Sequence, residues 1–190
     1  IVAMIVMIAL SVLVIIKNRA KTNKSNETDD LFEQAMNTSD QEILYETLIQ
    51  HNKQSINELL NISKNIYTDV VSSFIKEDIK TLRRVSNDCR LAKEKMKQLK
   101  RKEIMIMRRL DDKMINKNTW FHLSYNCIEQ ILYALRRICD PCKEYVDNSF
   151  TPLDKKYLPE VESLKEKVIW SIDTADITIS TSEYSDVDGV

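Results

Sequence analysis

The stretch LRRVSNDCRLAKEKMKQLKRKEIMIMRRL, residues 82–110, decides how the rest of the chain is read. Its residues Leu82, Val85, Cys89, Ala92, Met96, Leu99, Glu103, Ile106 and Leu110 recur in alternating steps of three and four. A helix turns once every 3.6 residues, so these side chains share one face. The pattern persists for about four heptads, as in a helix packed lengthwise against another. Glu103 alone breaks it. A helix is predicted over about 77–113. The cations Lys93, Lys95, Lys97, Lys100, Arg101, Lys102, Arg108 and Arg109 lie mostly off the seam. Such a run has the charge to meet nucleic acid or anionic lipid. It lacks the interleaved aromatics on which bases stack. A solvated helix face is the reading taken, with no nucleic-acid partner.

The same periodicity recurs on either side. Ser39-Asp40-Gln41-Glu42 has the form of a capping box with Ser39 as the cap. It opens a helix over about 40–75 with Leu44, Leu48, Ile56, Leu59, Ile66, Val70 and Phe74 on its apolar side. Asn118 or Thr119 can cap a further helix with the stripe Phe121, Ser124, Ile128, Ile131, Leu135, Ile138, Cys142 and Tyr145. Thr151-Pro152 marks a turn. A last helix, about 157–179, carries Leu158, Val161, Leu164, Val168, Ile172, Ala175 and Ile179. The chain of 190 residues has one glycine and three prolines, too few for the many turns of a sandwich or an α/β fold. With 43% hydrophobic residues it can bury a core. The expected fold is all-α, an up-and-down antiparallel bundle of long helices.

The first 16 residues, IVAMIVMIALSVLVII, contain no charge, and Lys17, Arg19, Lys21 and Lys24 follow at once. A secretory signal would place its cations before the apolar run. A membrane span needs about 20 apolar residues, so 1–17 reads as a truncated transmembrane helix in contact with the lipid bilayer. Cations beside a span mark its cytoplasmic side, and residues after 17 are expected in the cytoplasm, where thiols stay reduced. Residues 18–38 read as a basic and polar linker, with a short turn around 31–36, and 39–190 as the bundle. SEYSDVDGV, 182–190, has the start of another helix, and both ends read as cut from a longer protein.

The side chains that carry chemistry are few. The two histidines, His51 and His122, read as surface or packing residues rather than general bases. One glycine cannot build a phosphate-binding loop. Cys139 and Cys142 are spaced as a redox or zinc pair, but no strand precedes them and no second ligand pair exists. With Cys89 and Cys127 they read as packing thiols, Cys142 on the stripe and Cys139 beside it. Pro141 should kink its helix, or restart it with Asp140 as cap. Asp140 and Glu144 then share a face, which leaves open a cation site. No catalytic, cofactor-binding or metal-ligating residue is assigned.

NCIEQILYALRRICDPCKEYVDNSFTPL, 126–153, resembles the C-terminal part of bacterial inorganic phosphate transporters of the PiT type. These pair an E-Q-I-x-Y-x-L-x-x-I helix with a V-D-N turn. ISTSEYSDVDGV, 179–190, resembles their entry into a following helix. The resemblance implies a last membrane helix leading into a cytoplasmic PhoU-like bundle on the inner membrane. In that family acidic E/D-x-x-x-D repeats hold metal clusters. Here Asp140 stands at the second acid and Arg136 at the first, where it cannot be a ligand. The implied function is inorganic phosphate transport, with this segment a non-enzymatic regulatory or stabilising domain. Its implied partners are the missing membrane segments of the same polypeptide, and phosphate is the transported substrate. The alternative is a single-pass signalling or scaffold protein that forms a homo-oligomer through a helical dimerisation domain.

Overall fold

The computed structural model describes residues 30, 32–33, 35–115 and 119–181. The regular structure among them is helical throughout, as expected. Gln41–Ile75 forms α1, Ile79–Met107 α2, Asp112–Ile115 the short α3 and Thr119–Asp147 α4. A 3-10 turn, Lys155–Tyr157, leads into α5, Leu158–Thr181. Residues 30, 32–33 and 35–37 are helical as well.

Cross-helix partners give the topology. Going along α1, Gln41, His51, Glu58 and Asp69 meet Arg109, Glu103, Lys95 and Arg84, in falling order. α1 and α2 are therefore antiparallel. α2 and α4 are too, through Arg83 with Asp147, Cys89 with Cys139 and Glu103 with Tyr125. α5 runs antiparallel to α1, with Asn57 on Ser180 and Lys64 on Asp173. α1 is the hub and packs against α2, α4 and α5. Its buried face is consequently wider than one stripe and adds Leu60, Tyr67 and Val71 to the predicted set. All nine residues of the 82–110 seam are buried, Glu103 among them. α5 has no fully buried residue.

Local chemistry explains the element ends. Asp40, not Ser39, caps α1, and its Oδ1 accepts from the amides of Glu42 and Ile43 at 3.0 and 3.3 Å. Its own amide donates to Thr38 Oγ1, which holds the carboxylate one residue later than predicted. Asp78 caps α2 by accepting from the Thr81 amide and hydroxyl, and these bonds hold its carboxyl below the usual range. With glycine absent from the turns, left-handed backbone falls to other residues: Glu77 at φ 55° after α1 and Ser149 at φ 53° after α4. α2 ends at Met107, short of the predicted 113. The Arg109 guanidinium donates to the carbonyls of Ala35 and Thr38, both at 2.5 Å. Gln41 bonds the Arg109 carbonyl and the Asp111 amide. This clamp ties the end of α2 to the segment before α1, and Ala35 is fully buried beneath it.

α4 departs from its predicted face. The buried residues are Phe121, Tyr125, Ile128, Leu132, Leu135 and Cys139. Ser124, Ile131, Ile138, Cys142 and Tyr145 sit half-buried at its margin. The helix is turned so that Tyr125 reaches Glu103 and Cys139 reaches Cys89. Nor does Pro141 restart it, because α4 is continuous from Thr119 to Asp147. Pro141 and Arg137, whose carbonyl loses its amide partner, are both exposed, so the lost bond falls on the solvent side.

None of the described helices is long and apolar enough to cross a membrane. The predicted span at 1–17, the cap at Asn118 and the segment 182–190 lie outside the described residues.

Candidate functional site

Two arrangements bring chemically capable side chains together. The first lies where α1, α2 and α4 meet. Glu103 is fully buried, and its Oε1 accepts from Tyr125 Oη at 2.7 Å and from His51 Nδ1 at 2.9 Å. Its Oε2 accepts from Asn52 Nδ2 at 2.8 Å. Ser55 Oγ lies 3.3 Å from His51 Nδ1, and Ser124 Oγ donates to Asn52 Oδ1 at 3.4 Å. Three side chains from two other helices thus converge on one carboxylate. Burial, with Glu103 beside it, pushes the Tyr125 phenol far above its ordinary range. Phe32 covers the imidazole with its ring centre 6.5 Å away, and among the described residues His51 Nε2 meets no hydrogen-bond partner.

Glu103, His51 and Asn52 are all fully buried, so no substrate reaches them directly. What the network does is fix register. Sliding α2 along α1 by one turn would strip Glu103 of its donors in a low-dielectric interior, at a cost of several kcal/mol. His51, predicted at the surface or in packing, is thus a buried polar partner. A sequence signal for it did exist. The apolar stripe of α1 skips from Leu48 to Ile56, and His51, Asn52 and Ser55 fill the gap. The seam of α2 breaks at Glu103. In antiparallel pairing the two interruptions face each other.

The second arrangement is a groove of about 920 Å³ between α2 and α4. Arg83, Arg90, Lys93, Lys97 and Arg136 line it, with Glu94, Glu129 and Asp140 between them. This puts part of the predicted solvated basic face on one wall. Cys89 forms part of the floor, 5% exposed, and its Sγ lies 3.2 Å from that of the fully buried Cys139. Both are free thiols, and so are Cys142, half-buried, and Cys127, exposed. The spacing C-x-x-C therefore pairs neither of its own members. Cys139 turns to the other helix, and Cys142 belongs to the margin.

Asp140 is exposed and occupied, since Oδ2 accepts from Arg136 Nε and Oδ1 from Ser86 Oγ, each at 3.3 Å. Arg136 thus neutralises the acid that it precedes by one turn. Glu144 is exposed on the same helix. Among the described residues no three His, Cys, Asp or Glu side chains gather in a way that could hold a metal ion. His122 is exposed at the start of α4, against the Phe121 ring. Comparison with protein-family models, with curated proteins and with solved structures finds no match to this chain.

Proposed function

We propose that this chain is the membrane-tethered cytoplasmic domain of an inorganic phosphate permease, acting on transport through helix contacts and not through catalysis. The resemblance of 126–153 to PiT-type transporters supports the phosphate assignment. One structural observation supports a mechanical role. The Arg109 clamp and buried Ala35 fasten the segment at 30–38 to the bundle, only 13 residues after Lys17. Thirteen extended residues reach at most about 45 Å, so a span at 1–17 would hold the bundle against the membrane face. Force on the tether would pass through Arg109 to the ends of α1 and α2.

A scaffold that dimerises through 82–110 fits less well, because that seam is already buried inside one chain. The test is made on the complete reading frame. It is expected to carry several further apolar spans before Ile1 and to support uptake of labelled phosphate. Deleting 39–190 should change uptake several-fold while the protein still inserts. A reading frame without further spans, or uptake indifferent to the deletion, overturns the assignment.

A further inference from the structure

We propose that Cys89 and Cys139 form an oxidisable dithiol that closes to a disulfide and locks α2 to α4 across the floor of the groove. The sulfurs lie 3.2 Å apart on two different helices, 50 residues apart in the chain. A disulfide needs them about 1.2 Å closer, a distance within reach of side-chain rotation. The two thiols differ in character. The contact with the Cys139 sulfur draws the Cys89 thiol below its ordinary range. Cys139 itself is pushed far up, by that same contact and by burial. Cys89 is also the member that borders the groove, and so the one a small oxidant meets. Attacker and resolving thiol are thereby assigned.

With hydrogen peroxide as oxidant the step balances. The Cys89 thiolate attacks one peroxide oxygen, the O–O bond breaks and hydroxide leaves, giving a sulfenic acid at Cys89. The Cys139 sulfur then attacks the Cys89 sulfur and the S–O bond breaks. The departing hydroxide takes up the Cys139 proton as water. Two thiols and one peroxide become one disulfide and two waters. Cys142 is half-buried at the margin of α4, and the sulfur in contact with Cys89 is that of Cys139. A bond inside α4 would constrain nothing, whereas this one staples two helices whose side-chain hydrogen bonds at that end, Arg83 with Asp147 and Ser86 with Asp140, are exposed.

The experiment treats the chain with a small excess of hydrogen peroxide, then denatures it, alkylates it and maps peptides without reduction. The expected result is loss of two hydrogens from the intact mass and a fall in alkylated cysteines from four to two. One cross-link should join the Cys89 and Cys139 peptides, and dithiothreitol should reverse it. Cys142→Ser and Cys127→Ser should keep the cross-link, and Cys89→Ser should abolish it. The wild-type map decides even if a variant folds poorly. A bond between Cys139 and Cys142, over-oxidation of single cysteines without a cross-link, or four thiols still alkylated would each overturn the assignment.

Discussion

α2 and α5 both carry apolar stripes at helical spacing, yet they end in different surroundings. Every residue of the α2 seam is buried, while α5 buries none completely and leaves Leu164 58% and Trp170 69% exposed. The difference lies in the neighbours. α2 has α1 on one side and α4 on the other, so its face is closed from both directions. α5 rests on α1 and meets it with half-buried side chains, helped by the Lys64–Asp173 ion pair at 2.6 Å. Periodicity reports that a face is apolar. It does not report how many helices will share it.

The contrast can be broken most directly at the buried charge. Glu103→Ala leaves His51, Asn52 and Tyr125 without their acceptor and should cost about 3–5 kcal/mol. Urea unfolding followed by circular dichroism measures it, and a loss below about 1 kcal/mol would show that water already reaches the network. Next comes a matched pair of leucines. Leu82→Ala empties a site with no exposure and should cost about 2–5 kcal/mol. Leu164→Ala on α5 should stay within about 0.5 kcal/mol, as exposed substitutions do. Equal losses at the two sites would show α5 to be as well covered as α2.

Between these extremes stands Tyr125→Phe, expected to cost about 1–2 kcal/mol at neutral pH through the lost hydrogen bond to Glu103. It also has a pH signature. The folded chain holds the Tyr125 phenol protonated above its ordinary range. Above about pH 10 the unfolded chain releases that proton and the folded chain does not, so stability falls as pH rises. Burial raises Tyr67 as well, so part of this alkaline limb should survive in the variant. The smallest effect expected is at Glu77, where glycine relieves a left-handed residue. Glu77→Gly should stabilise by about 0.5–1 kcal/mol in the same urea measurement, and a loss there would mean the Glu77 side chain makes a contact of its own.

Helix existence was legible from residue spacing alone, to within a few residues at most ends. One miss is local, and the others share one physical cause, which is that a side chain's partner sits far away in sequence. Ser39 and Asp40 are both able caps, and the Thr38 hydroxyl decides between them. The buried stripe of α4 shares Phe121, Ile128 and Leu135 with the predicted face and differs at the positions between them, because Ile131, Ile138 and Cys142 are as apolar as Leu132 and Cys139. The contacts of Tyr125 with Glu103 and of Cys139 with Cys89 distinguish the two faces. Arg109 looked like one more solvated cation. Its two carbonyl partners, Ala35 and Thr38, lie more than 70 residues before it.

By itself the sequence determined that this chain is built of long amphipathic helices, because spacing and the lack of glycine are local properties that each segment carries alone. It also determined that Cys89, Cys139 and Cys142 would lie in or near a helix core, though not that Cys127 would be exposed, and that one seam position would be charged. Only the tertiary structure decided that Glu103 is answered by His51, Asn52 and Tyr125 from two other helices. The same holds for Cys139, which faces Cys89 and not its C-x-x-C neighbour. Both pairings depend on the antiparallel register of α1, α2 and α4. That register is set by packing all three at once, a condition that no single stretch of sequence contains.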